Sequence, residues 1–580
     1  MKNDLLSFAL SAMLLSAPLT VAPAFAADSV KVKSAEKVLM DLPLNAGPSA
    51  WNRIEKIAYL KCQLSKLAPV KVKYDSSKLS DREKQVVKYL IEAGDSMDRL
   101  FRKQAYAKND DIIFKLISSN DDFDKFMLRY VLFNAGPFDR INDNYNFYND
   151  EKKPAGAGFY PEDMTKTEFE SFVKAHPELK DQMTSEFTVI VRDENKNLKP
   201  VPYHEYYKSE LRIAVNALRK AAEYADNPTL KRFLLSRAEA LTTDDYYNSD
   251  VDWMTIEDSN VELVIGPYEV YEDSLMNSKA SYEAFIYQNL PEEAKQFSKY
   301  VKYLPELENN LPIPDEDKNM TRDFTSPIRI VNLIYSSGDA KAGVHTSAFA
   351  LPNDEKVRKE KGCKKVMMKN IMSAKFDAST LPIGKMIVDP SQVKDISFDC
   401  YFRSVVFHEL SHGLGPGEVK MPDGSLKDVR LCLGDMYSAI EECKADTLAI
   451  HDEFYLTDKG VLSADDLDKM AVTYLTGIFR SVRFGIGEAH GKGALIQLNW
   501  MMEKGAFTYD EETGTYKVHF DKFRDAVKGL SQALLDIQRK GSYEEGAKFL
   551  DKYAQVPSHL TTSLKKLYEI PIDIYPEFEK

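Results

Sequence analysis

The chain has 580 residues, of which 44% are hydrophobic and 29% charged. That balance is globular and excludes wholesale disorder and collagen-like repeats. Its 77 basic and 90 acidic residues leave a formal charge of −13, which argues against a nucleic-acid partner, because phosphate contacts need a basic face.

The first 26 residues read as a secretory signal. Lys2 supplies a basic start, Leu5 to Val21 is apolar, and Ala24-Phe25-Ala26 fits an A-x-A cleavage site. The mature protein is then expected to begin near Ala27 and to be secreted, or periplasmic in a two-membrane bacterium. No later segment reaches the ~18 apolar residues of a membrane span. No stable membrane insertion is expected after signal removal.

From Ala27 to about Asp252 the pattern is mainly helical. Within 205–240, Leu211, Ala214, Leu218 and Ala221-Ala222 mark one helix face, and Asp226-Asn227-Pro228 breaks it. Lys153 to Gly158 is a loop. Phe187–Val191 reads as a strand, closed by a turn at Asp193-Glu194-Asn195. Strand-like runs recur at Val261–Ile265, Ile328–Tyr335 and Lys385–Val388, and the pattern is helical again from Phe398 to Leu550. The fold class is mixed α/β, mostly α, with strands gathered in the middle third. Five cysteines, an odd number, exclude a fully paired disulfide scaffold. Cys432 and Cys443 could pair in an oxidising compartment, or remain packed thiols.

His408-Glu409-Leu410-Ser411-His412 is an H-E-x-x-H motif in a chain with only nine histidines. Residues four apart share a helix face, so both imidazoles can reach one metal ion. The intervening Glu409 is placed to take a proton from the water that such a metal activates. Phe402, Val405, Val406 and Leu410 give the segment an apolar stripe, and Gly413, Gly415, Pro416 and Gly417 end the helix. A catalytic zinc site needs a third protein ligand. Glu441-Glu442-Cys443-Lys444-Ala445-Asp446 follows about thirty residues on. Glu442 and Asp446 share a face, so one can bind metal while the other fixes the tautomer of a ligand imidazole. Glu441 is read as pointing elsewhere on that helix.

At these two motifs the sequence resembles the dipeptidyl peptidase III family of zinc exopeptidases. That family pairs H-E-x-x-G-H with E-E-C-R-A-[DE]. Here the second motif is E-E-C-K-A-D and the first is one residue shorter. The resemblance implies one Zn2+ per chain held by His408, His412 and Glu442, with Glu409 as general base and Asp446 behind the ligands. It continues through Leu241–Met254, Gly266–Asp273 and Tyr282–Phe285. There it implies that Glu269 meets the substrate amino terminus, that Tyr271 bonds the scissile region and that Glu283 supports them. Asp323-Phe324-Thr325-Ser326 and Leu351-Pro352-Asn353 also match, with Asn353 holding the peptide, and Glu488-Ala489-His490 places His490 as a transition-state stabiliser. One departure stands out. Ala350 occupies a position where the family has Asn. Losing that amide costs about 1–3 kcal/mol where it leaves a buried peptide group without a partner.

The family resemblance implies two lobes around a wide cleft, a helical lobe carrying zinc and a lobe with a small β-barrel. Residues 27–290 and 331–390 are assigned to the lower lobe, 291–330 and 391–555 to the helical lobe, and 556–580 to a return to the lower lobe. The activity it implies is zinc-dependent release of dipeptides from the N-termini of short peptides by attack of a zinc-bound water. Two alternatives stay open. Ala350 motivates a zinc aminopeptidase or another zinc hydrolase of altered specificity. The other is a zinc-containing, peptide-binding envelope protein with little turnover, against which an intact Glu409 argues.

Overall fold

A computed structural model describes residues 48–320, 328–421 and 423–579. The signal segment and the Asp323–Ser326 match lie outside the described residues. The chain divides into two compact units. Of the described residues, the first holds 48–290, Arg329–Asn370 and 575–579, and the second holds 291–320, Ile328 and those from Ile371 to Ile574.

Two boundaries differ from the expected ones. The segment assigned to 331–390 leaves the first unit at Asn370, and the return assigned to 556 begins at Tyr575. The cause of the second shift is apolar burial. Leu560, Leu567 and Ile570 belong to the hydrophobic core of the second unit, so the chain cannot leave it earlier.

In the first unit, helix α1 (Asp81–Ala105) starts at a capping box formed by Ser80 and Glu83. It packs against α2 (Lys208–Tyr224), whose Leu211, Ala214, Leu218, Ala221 and Ala222 are all buried. The break at Asn227-Pro228 is also a beginning. The Asn227 side chain accepts from Thr229 N and Leu230 N, and Pro228 opens α3 (Pro228–Ala240).

A five-stranded sheet follows. Its strands are β1 (Val261–Glu269), β2 (Ser281–Asn289), β3 (Ile328–Gly338), β4 (Ala348–Leu351) and β5 (Lys364–Met368), in the order β1-β2-β3-β5-β4. Strand β2 is antiparallel to both β1 and β3, with Gly266 opposite Glu283 and Glu283 opposite Gly338. Gly338 has φ +68°, and a Cβ there would lie 2.2 Å from the Tyr282 carbonyl oxygen, so only glycine serves. Among the described residues no ladder joins the outer strands β1 and β4.

The second unit is helical around one core. Its main helices are α4 (Phe398–Ser411), α5 (Tyr437–Asp458), α6 (Leu467–Val482), α7 (Ala489–Glu503) and α8 (Phe520–Lys540). Helix α5 is buried on nearly every side, as befits the middle element of a bundle. The run Lys385–Val388 is not a strand. It ends a helix, Leu381–Ile387, with Ile383 and Ile387 buried one turn apart and Pro382 in the first turn. Val388 keeps only an isolated bridge to Tyr516. Cys432 and Cys443 are not joined and remain thiols. Cys443 is buried on α5, and burial pushes its thiol well above the ordinary range. Among the described residues no helix is long and apolar enough to cross a membrane.

Candidate active site

Helix α4 begins where the Ser397 side chain accepts from Cys400 N, and it ends at His412. Helical spacing puts His408 and His412 on one face, with their Nε2 atoms 3.1 Å apart. Helix α5 packs alongside and supplies the carboxylates. Glu442 Oε2 lies 3.3 Å from His408 Nε2 and 3.7 Å from His412 Nε2. His408, His412 and Glu442 form the one group among the described residues with metal-ligand geometry. A tetrahedral ion with ligands at 2.0–2.1 Å would set its donor atoms about 3.3–3.4 Å apart.

Each ring is turned by a carboxylate on its far side. His408 Nδ1 donates to Asp446 Oδ1 at 2.7 Å, and Asp446 Oδ2 accepts from Gln497 Nε2 at 2.9 Å. His412 Nδ1 donates to Glu441 Oε1 at 2.8 Å, and Glu441 Oε2 accepts from Gln538 Nε2 at 2.7 Å. With both Nδ1 protons committed, both Nε2 atoms carry lone pairs aimed at the same space. Glu442 Oε2, which is buried, also points there and accepts no hydrogen bond of normal geometry. Three electron-pair donors facing one point repel one another unless a cation lies between them. The donor set therefore fits a divalent metal of the zinc type.

With no ion between them, the carboxylates favour protons on the rings. Burial works against a charged His408, but the Asp446 carboxylate overrides it and holds the ring up to about 10. Burial would raise Glu442, yet the surrounding histidines, His408 first, hold it below its usual value. Burial would likewise raise Glu441, but Lys444 and His412 hold it down to about 2.

Glu409 is half-buried on α4, and its charge acts on His408. His490 sits in the first turn of α7, with its Nδ1 3.2 Å from Glu442 Oε2 and its ring 6.0 Å from that of His408. Gly493 allows this approach, because a Cβ there would lie 3.2 Å from Cys443 N on α5.

The first unit gathers the other singled-out residues. Glu269 ends β1, and burial raises its carboxyl while the Asn353 side chain opposes the shift. Asn353 Nδ2 also donates to Tyr268 O at 2.9 Å. Tyr271 is 82% exposed, and its hydroxyl is pushed up first by the Glu269 charge. Glu283 is buried on β2, between β1 and β3. Burial, then Asp339 and Glu269, push it well above the carboxylate range. Ala350 is exposed on the edge strand β4, opposite Lys365, and offers no amide.

Two residues were missed by the sequence reading. Glu441 does not point elsewhere, since it is the acceptor that orients His412. Asp339 directly follows Gly338, which stands opposite Glu283. Burial pushes Asp339 up to about 7, against the pull of Arg140, and Glu272 and Glu269 add to the rise. Neighbouring Glu272 is neutralised by Arg140 at 2.7 Å and Lys153 at 2.6 Å.

The chain is similar to known peptidases. Residues 164–428 match the model of Peptidase family M49. The solved structure of DPP III from Caldithrix abyssi is 45% identical, covering 90% of this chain and 99% of that one, with a TM-score of 0.88. Dipeptidyl-peptidase III from Corallococcus sp. strain EGB is 41% identical, covering 89% and 96%, with a TM-score of 0.76. A protein of Arabidopsis thaliana named Nudix hydrolase 3 is 34% identical over 572 residues, which span 90% of this chain and 74% of the plant protein. The chain belongs to the dipeptidyl peptidase III family, Peptidase family M49, and is a metallopeptidase of that type.

Proposed function

We propose that the protein is a zinc-dependent exopeptidase that releases dipeptides from the N-termini of short peptides. The observation that carries the metal is the convergence of His408 Nε2, His412 Nε2 and Glu442 Oε2, with both Nδ1 atoms already committed to carboxylates. Zinc, when bound there, polarises a scissile carbonyl and makes its water acidic enough to react near neutral pH. Glu409 takes the proton of that water and returns it to the leaving amine. His490 hydrogen-bonds the developing oxyanion, a part that the family resemblance also gives to Tyr271. Glu269 and Asn353, supported by Glu283, hold the peptide ammonium, which sets how many residues are released.

Asp339 adds a pH dependence to this reading. Below about 7 it is protonated and lends an ammonium little charge. Above that it becomes anionic beside Glu269 and Glu283. The peptide ammonium itself loses its proton near ~8. The KM for an unblocked peptide should therefore fall as pH rises from 6 to about 7.5. Asp339→Asn should flatten this slope and raise KM about tenfold at pH 7.5, the scale of one charged hydrogen bond. An unchanged slope in the variant contradicts the assignment.

Ala350 favours a second reading, removal of single residues, because the peptide loses one amide partner. Purified protein assayed on dipeptidyl- and aminoacyl-naphthylamides separates the two. Release of dipeptides alone is the expected result, and release of single residues would refute the dipeptidyl register.

A further inference from the structure

The turn after His412 is held by two buried charges of opposite sign that lie outside the ligand set. Lys444, on α5, is 2% exposed. Its Nζ donates to Ser411 O and Leu414 O, each at 3.0 Å, and pairs with Glu441 Oε1 at 2.9 Å. Ser411 O ends α4, where the last carbonyls run out of intrahelical donors and carry the negative end of the helix dipole, and Leu414 O lies in the turn beyond it. Glu308, on the short helix Leu304–Asn309, is fully buried. Its Oε2 accepts from Gly415 N at 2.8 Å, and its Oε1 accepts from Asn319 N at 2.7 Å. A cation thus answers two carbonyls of the turn, Ser411 O being shared with Leu414 N, and an anion answers its Gly415 N–H.

The two ligand histidines depend on this clamp unequally. The His408 side chain is 11% exposed, and its acceptor Asp446 is braced by Gln497. The His412 side chain is 29% exposed, it caps the end of α4, and its acceptor Glu441 shares Lys444 with the backbone of the turn. One connected path therefore runs from the turn carbonyls through Lys444 and Glu441 to the His412 ring.

We propose that Lys444 and Glu308 are positioning residues that set the backbone at the end of α4 and, through Glu441, the direction in which His412 Nε2 points. The proposal rests on the metal reading above. A neutral side chain at 444 takes one donor from Leu414 O, from Ser411 O and from the Glu441 carboxylate, and removes the only cation paired with that buried charge among the described contacts, which is costly in a low-dielectric site. A glutamine at 308 has one acceptor oxygen where two N–H groups need one each. In either case His412 keeps its identity and loses its aim.

The test uses the full chain as wild type, Lys444→Met, Lys444→Arg and Glu308→Gln. Zinc retention is measured against a competing chelator, and the Co2+-loaded proteins are compared by their visible absorption. Lys444→Met and Glu308→Gln should raise the zinc dissociation constant about 10–100-fold, the usual effect of losing a partner behind a ligand. Both should shift the cobalt bands, and Lys444→Arg should restore most of the wild-type values. Circular dichroism establishes that each variant is folded. If Lys444→Met does not fold, Glu308→Gln decides by the same two readouts. Folded variants that match a zinc-loaded wild type in both readouts overturn the clamp alone. A wild-type chain that takes up no zinc overturns the metal reading, and the clamp with it.

Discussion

Glu409→Gln should lower kcat by about 10²–10⁴-fold, the scale of a lost general base, while metal content stays near one ion per chain. The two effects separate because Glu409 is outside the ligand set. The converging donors are His408, His412 and Glu442, and the rings are oriented by Asp446 and Glu441. Glutamine keeps the shape and removes only the capacity to accept a proton. Kinetics on a dipeptidyl-naphthylamide together with elemental analysis check both halves. Retained turnover sinks the assignment of Glu409, and lost metal moves Glu409 into the ligand set.

Glu442→Gln should behave in the opposite way and lose the metal first. Its Oε2 lies within 3.7 Å of three imidazole nitrogens, those of His408, His412 and His490. The carboxylate stays below its usual pKa in spite of burial because these rings surround it. An amide has no charge to give a divalent ion and leaves two neutral imidazoles. The dialysed variant should hold well under a tenth of an ion per chain and show no activity, with partial recovery in excess zinc. Full metal content after dialysis contradicts the role of Glu442.

These residues were legible to different degrees, for physical reasons. His408, Glu409 and His412 could be read directly, because helical periodicity alone puts the two histidines on one face. Glu442 and Asp446 were readable from their own four-residue spacing. Glu441 was not. Its function depends on His412 lying one turn beyond His408 on a neighbouring helix, a relation that no local pattern contains. Asp339 and Glu308 act on residues remote in sequence, through the register of β2 on β3 and through the turn after α4.

The fold follows the same logic. Helix α2 shows its buried face at helical spacing. Strand β2 is buried from Ser281 to Gln288, so it has no alternation to read, as is usual for a strand covered on both sides. Lys385–Val388 carries strand-like residues, but its Ile387 pairs at helical spacing with Ile383, outside the run, and serves a helix.

The central claim is that one zinc ion is held by His408, His412 and Glu442. A crystal of the protein measured on both sides of the zinc absorption edge tests it most directly. The expected result is a single anomalous peak per chain, within about 2.0–2.2 Å of His408 Nε2, His412 Nε2 and a Glu442 oxygen. A peak elsewhere in the chain, or none in protein that cleaves peptides, contradicts the account.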